Sequence, residues 1–418
     1  MLTEREQKGL QIAALSQIHQ NRLGWQVPSQ SGKGSYVVTL EGEPFCTCPD
    51  FEARQLPCKH VFAVEYVIQR EIKADGSATY TQVVRTTYAQ QWTAYNQAQT
   101  NEQKHFVTLL KSLCEGIPTP EQTTGRPRLP LADVVFGLAY KTYGTMSGRR
   151  STSELRDAQA DGLVDKAGHY NSLFRYLENP ALTPLLKELI AETAAPLSAV
   201  ELDFAADSTG FATSTYARWF DHKWGKVRSE AKFIKTHIMT GVKTHVITAI
   251  EATPNESADN TQFPYLVQET AKRFTMNEVS GDKAYSGRTN LHAVEAVGGV
   301  AYIPFHRHAT GRANGKHKFD GLWNRMWAYY TFNRAEFLAH YHKRSNVETT
   351  MSMVKAKFGA RVRSKTPTAQ VNEVLLKALC HNIVVLIQSM YEMGIQPEFW
   401  TLEAKEPVAP KLLQKVGF

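Results

Sequence analysis

Two groups of residues in this 418-residue chain combine types and spacings that suit chemistry. In FCTCPDFEARQLPCKHVF, Cys46, Cys48, Cys58 and His60 fall within fifteen residues as Cys-x-Cys…Cys-x-His, bracketed by Pro49 and Pro57. Three thiolates and one imidazole suit tetrahedral Zn2+, and a closed four-ligand site supplies folding energy to a segment too small for its own core. One structural Zn2+ is expected, not a catalytic one, because all four positions are filled. The second group is YHKRSNVETTMSMVK, where Glu348 stands alone among bases and hydroxyls. On one helix Tyr341, Arg344, Glu348 and Lys355 fall within about 60° of arc. An exposed Arg344–Glu348 pair alone would contribute only about 0.3–0.5 kcal/mol. The stripe also holds an aromatic ring and a second base.

Phosphodiester chemistry needs carboxylates from separate elements around divalent cations about 4 Å apart. In AVELDFAADSTGF, Val200, Leu202, Phe204 and Ala206 alternate onto one face and leave Asp203 and Asp207 on the other. Spacing alone does not choose between them. Asp207 precedes Ser-Thr-Gly, read as a turn that ends the strand at an open edge. In EVSGDKAYSGRTN a short strand breaks at Gly281, Asp282 follows, Lys283 adjoins it, and a helix starts after Ser286. Either aspartate taken alone also reads as a helix cap or turn residue.

The elements that must carry these groups follow in order. WQVPSQ and SYVVTLEGEPF read as strands around SGKGS, and HVFAVEYVIQREI has helical spacing. Residues 76–104 are polar and read as a linker with some helix. Residues 105–199 carry amphipathic helices broken at IPTP and GRPRLP. From residue 200 strands and helices alternate, which predicts a mixed α/β sheet. The start MLTEREQKGLQIAAL has charges where a signal peptide needs an apolar core, and the run IVVLI is too short to span a bilayer. A cytoplasmic, nucleoid-associated protein without a membrane partner is expected. Five cysteines, an odd and clustered number, argue against a disulfide scaffold.

The formal charge is +8, and its distribution says more than its sum. Tyr341 to Lys365 holds seven Lys or Arg and one acid, and HRHATGRANGKHK holds four bases and no acid. Both fit a polyanion, and His306, His308 and His317 read as part of a phosphate-contacting loop rather than a metal site. GRPR, Gly125 to Arg128, has the form of a minor-groove hook carrying Arg126 and Arg128, or of a plain linker.

The cysteine order and spacing resemble the SWIM zinc finger, over roughly Gly24 to Tyr66. Tyr341, Arg344, Glu348 and Lys355, with DSTG and GDKAY before them, resemble the Tyr-x2-Arg-x3-Glu-x6-Lys branch of bacterial DDE insertion-sequence transposases, from about Leu202 to Asn382. The resemblance implies a ribonuclease H-like fold and two Mg2+ (or Mn2+) per active site, held by Asp207, Asp282 and Glu348. It further implies that Arg344 and Lys355 hold phosphates and that Tyr341 supports terminal nucleotides, while Lys283, by its place beside Asp282, is read as holding that carboxylate or a phosphate. Double-stranded DNA, with a homodimer assembled on it, is the implied partner. A nuclease that cuts without joining, or a retired DNA-binding regulator, are the alternatives. Only about sixty-five residues separate Asp282 from Glu348, too few for the β insertion of hairpin-forming relatives. The organisation expected is a zinc module over 1–75, a linker over 76–104, a helical, DNA-binding region over 105–199, an α/β catalytic domain over 200–394 and a tail over 395–418.

Overall fold

The computed structural model describes residues 3–16, 18–21, 23–29, 34–40, 44–72, 78–82, 91–119, 122, 124–125, 127–213, 233–254, 259–311 and 320–400. The chain divides into two compact units, Met1–Arg85 and Thr86–Phe418.

The first unit starts with α1 (Glu4–Leu15), whose Thr3 hydroxyl and Glu6 carboxylate form a reciprocal capping box. Strands β1 (His19–Asn21), β2 (Gly24–Pro28), β3 (Ser35–Thr39) and β4 (Phe45–Cys46) form an antiparallel sheet in that order. Helices α2 (Pro49–Arg54) and α3 (Lys59–Val67) follow. A Cβ on Gly9 of α1 would stand 2.7 Å from the Cβ of Phe62, so glycine permits the close approach of α1 to α3. Ile12, Trp25, Val27, Val38, Phe51, Val61 and Val64 close a small core that includes the three cysteines. The helix expected through VIQREI stops at Val67. The chain instead pairs as a hairpin of β5 (Ile68–Ile72) with β6 (Ala78–Gln82), because a paired ladder outweighs weak helical spacing in a β-branched segment.

In the second unit α4 (Trp92–Glu115) begins inside the polar stretch read as linker. Its apolar stripe of Phe106, Leu109, Leu110 and Leu113 is buried. Helices α5 (Leu131–Tyr143), α6 (Ser151–Ala160), α7 (Tyr170–Leu177) and α8 (Leu182–Ala194) follow. The sheet comprises β7 (Asp203–Ala212), β8 (Phe233–Gly241), β9 (Ile247–Pro254), β10 (Glu278–Gly281) and β11 (Val300–Tyr302), in the order β11-β10-β7-β8-β9. β7, β8 and β9 are antiparallel, whereas β10 and β11 run parallel to β7. Helices α9 (Phe263–Ala271), α10 (Arg288–Glu295), α11 (Gly321–Phe332), α12 (Arg334–Tyr341), α13 (Ser345–Phe358) and α14 (Pro367–Met393) complete the unit.

Helix α14 is long and apolar enough to cross a membrane, yet 78% of its apolar window is buried within this unit. It is the helix around which one continuous core runs, from Ala98 of α4 through the sheet to Phe399. Residues 92–194 therefore share their core with the sheet. The start of the expected tail joins it as well, since the Trp400 indole donates to the Leu113 carbonyl at 3.0 Å. Residues 401–418 lie outside the described residues.

Candidate active site and metal centre

Cys46 lies on β4, Cys48 is the N-cap of α2, Cys58 precedes α3, and His60 lies in its first turn. Both helices point their N-termini at the cysteines, where unpaired N–H groups favour thiolate. The Phe51 N–H donates to Cys48 Sγ at 3.4 Å. The four ligand atoms lie within 4.8 Å of one another and all four residues are buried. His60 Nδ1 stands 3.9 Å from Cys46 Sγ and 3.8 Å from Cys58 Sγ. These separations are close to the edges of a tetrahedron with metal–sulfur bonds of about 2.3 Å and metal–nitrogen bonds of about 2.0 Å, so the donor set fits zinc. Charge is unevenly shared. Hydrogen bonding from Cys46, helped by His60, holds the Cys58 thiol down to about 3, while the Cys46 thiol is pushed up by that same bond and by burial. Burial raises Cys48 as well.

In the second unit Asp207 lies in the middle of β7, not at its end. Ser208, Thr209 and Gly210 continue the ladder with β8 through Ala212↔Phe233, and Ala212 also pairs with Arg361. The expected turn is absent because each of these residues has a paired neighbour. The strand begins at Asp203, and Leu202, assigned to the buried face, is exposed.

Asp282 follows β10 and caps the short 3-10 turn Lys283–Tyr285 through the Ala284 N–H. Lys283 is exposed beside it.

Glu348 lies in the first turn of α13. Val347, Met351, Val354 and Phe358, spaced three or four apart, anchor that helix to the core and leave Glu348 outward. The single helix expected from Tyr341 to Lys355 is broken. Tyr341 ends α12, residues 342–344 form a 3-10 turn, and α13 starts at Ser345. Arg344 Nη1 donates to Asp207 Oδ2 at 2.8 Å, and its Nη2 donates to Glu348 Oε1. The residue expected to face phosphate thus bridges two of the three acids. Burial raises the Asp207 pKa, the Ser208 N–H and Arg344 oppose this, and Glu348 and Asp282 add to it. Arg344 in turn feels Tyr341, Glu348, Asp207 and Asp282. Arg344 therefore bridges Asp207 and Glu348, and the charge of Asp282 and the Tyr341 hydroxyl act on the same guanidinium.

Among the described residues, the cysteine cluster is the one group of three or more such side chains at metal-sharing distance. Asp207, Asp282 and Glu348 are not at metal-sharing distance, with Arg344 between Asp207 and Glu348, but their hard oxygen donors are of the kind that suits Mg2+.

Lys355 donates to Thr209 Oγ1 and lies over the Phe211 ring at 5.5 Å, so it lines β7 next to Asp207. Burial lowers its pKa. Arg128 is exposed, and its main-chain N–H donates to Gln122 Oε1 at 3.0 Å. Arg126 and His317 lie outside the described residues, and His306 and His308 are exposed. Sequence reasoning missed two neighbours. Tyr285 is fully buried with its hydroxyl within the fields of Asp207, Asp259 and Asp282, and burial raises its pKa. Asp259 receives Lys235 Nζ at 2.9 Å and stands 3.2 Å from His237 Nδ1. Tyr285 had a signal, its place three residues after Asp282, whereas Asp259 sits in a polar loop and had none.

Residues 199–383 match the family described as Transposase DDE domain, and residues 36–69 match the SWIM zinc finger. Among solved structures, a cryo-electron-microscopy structure of a piggyBac transposase synaptic complex with hairpin DNA is similar at 11% identity, over 75% of this chain and 76% of that chain, with a TM-score of 0.33. With both domain matches falling on the two residue clusters described above, the chain carries a DDE transposase domain over residues 199–383 and a SWIM zinc finger over residues 36–69.

Proposed function

We propose that this transposase binds the ends of an insertion sequence and cuts and joins DNA at Asp207, Asp282 and Glu348. The observation that carries the reading is the Arg344 guanidinium bridging Asp207 of β7 and Glu348 of α13, with the charge of Asp282, just past the end of β10, acting on it as well. The order β11-β10-β7-β8-β9, three antiparallel strands extended by two parallel ones, supports a ribonuclease H-like fold. Two Mg2+ or Mn2+ ions held by the acids would activate the attacking oxygen and neutralise charge gathering at phosphorus. The chain's own side chains do the rest. Arg344 is drawn to whichever anion lies nearest, and an incoming phosphate competes with Asp207 and Glu348 for its two N–H edges. Lys355 and exposed Lys283 flank that position with further positive charge, and Tyr341 offers a ring to a terminal base. Arg126 and Arg128 extend backbone or minor-groove contact, and the helices before the sheet contribute to end binding. Two ends must be handled together, which calls for a homodimer on duplex DNA in the nucleoid.

Asp207→Asn and Glu348→Gln remove one ligand charge each with little change of shape. Either should reduce cleavage of a DNA end in Mg2+ by at least about a thousandfold while end binding persists. Unchanged cleavage would refute the assignment. Strand transfer of a precut end separates joining from cutting alone.

A further inference from the structure

Asp203 and Glu278 begin the parallel strands β7 and β10 and stand opposite one another in the register. Asp207 and Asp282 each lie four residues further along. Side chains alternate along a strand, so the pair of strands carries two tiers of carboxylates about 13 Å apart. Each tier meets one of two consecutive residues in the 3-10 turn 342–344. Arg344 serves the tier with Asp207. Lys343 serves the other, donating to Asp203 Oδ2 and to Glu278 Oε2, both at 2.7 Å. Glu278 Oε1 meets His340 Nδ1 at 2.9 Å, and the His340 ring stacks on Tyr302 of β11 with centroids 4.4 Å apart. This tier is a closed network across three strands and the end of α12. Burial works against the Lys343 charge, and the two carboxylates outweigh it.

The turn that Lys343 pins is also where the chain changes course between α12 and α13. Glu348 lies five residues beyond it, so the depth of the turn along β7 and β10 sets the place of Glu348. We propose that Lys343 is a positioning residue for the catalytic carboxylates: by tying the turn to Asp203 and Glu278, it holds Glu348 where it can share a divalent cation with Asp207 and Asp282. The inference rests on the reading of those three acids as the metal-binding site.

Lys343→Met keeps the apolar stem and removes the ammonium, whereas Lys343→Arg keeps the charge. Asp203→Asn combined with Glu278→Gln removes the opposing charges with matched shapes. The measurements are Mg2+ binding to the full chain without DNA, by titration calorimetry, and cleavage of a DNA end. Loss of a group that orients a ligand costs about 10- to 100-fold in metal affinity or rate, so Lys343→Met should weaken Mg2+ binding and slow cleavage by that factor. DNA affinity and zinc content should stay unchanged, and Lys343→Arg should recover most of the loss. Wild-type Mg2+ affinity in Lys343→Met would overturn the proposal. If that variant does not fold, wild-type affinity in the Asp203→Asn/Glu278→Gln pair overturns it instead, and weakened affinity supports it. A wild-type chain that neither binds Mg2+ nor cleaves DNA would remove the underlying reading itself, an outcome distinct from a variant that matches an active wild type.

Discussion

Asp207 is where opposing demands meet. Burial and the charges of Glu348 and Asp282 favour its protonated form, against the Ser208 N–H and Arg344. A proton and a divalent cation compete for the same oxygens. With the pKa raised above the usual aspartate value, the proton begins to win at a higher pH than it would for an isolated aspartate. Mg2+ affinity at the proposed site should therefore fall as pH drops toward that raised pKa, and raising Mg2+ should move the midpoint of the cleavage profile to lower pH. Calorimetric Mg2+ titrations at a series of pH values check this, and a profile independent of Mg2+ would contradict it. The chemical identity of these residues was legible from type and spacing. Of Arg344's two partners, Glu348, four residues on, was legible as an i,i+4 pair, whereas Asp207 was not, being a strand residue 2.8 Å away in space and far away in sequence.

At the scale of elements, the zinc module was readable because its ligands are local. Cys46 to His60 spans one strand end and two helix starts, and capping, proline and ligand spacing all act over a few residues. Its core is small, so the metal carries much of the stability, with structural zinc supplying about 10–16 kcal/mol of binding free energy in small finger peptides. Cys58→Ala, or chelation, should release about one zinc per chain and unfold the first unit while the second keeps its own melting transition. Zinc assay and calorimetry on the full chain test both parts. Less legible was the run from Tyr341 to Lys355. A helical wheel assumes an unbroken helix, and the 3-10 turn at 342–344 shifts the wheel between Tyr341 and Glu348. The Arg344–Glu348 pair survives because the two still lie within one turn.

For the molecule as a whole, helices that read as a separate region are part of the sheet's own core. Asn382 of α14 shows how tightly. Buried completely, its side chain accepts from the Ile247 N–H at 2.8 Å and donates to the Ile247 carbonyl at 2.7 Å and to the Ile190 carbonyl at 3.1 Å. One side chain thus joins α8, β9 and α14. Asn382→Leu would leave buried donors and acceptors unpaired, at about 1–3 kcal/mol for each group. A loss of at least about 2 kcal/mol is expected in urea unfolding, with the helices and the sheet still melting together as one transition. Separate transitions for helices and sheet would show that the core is less continuous than the packing indicates.

Read alone, the sequence determined the metal chemistry of the cysteine cluster, the family motifs, and most helix and strand identities, since periodicity, caps and ligand spacing are all expressed within a few residues. Only the tertiary structure decided that β7 runs through DSTG to Ala212, that Asp203 and Glu278 stand opposite one another, and that Lys343 and Arg344 divide two tiers of acids between them. Those facts depend on register between strands distant in the chain and on charges that meet only after folding. Neither leaves a mark on local residue patterns.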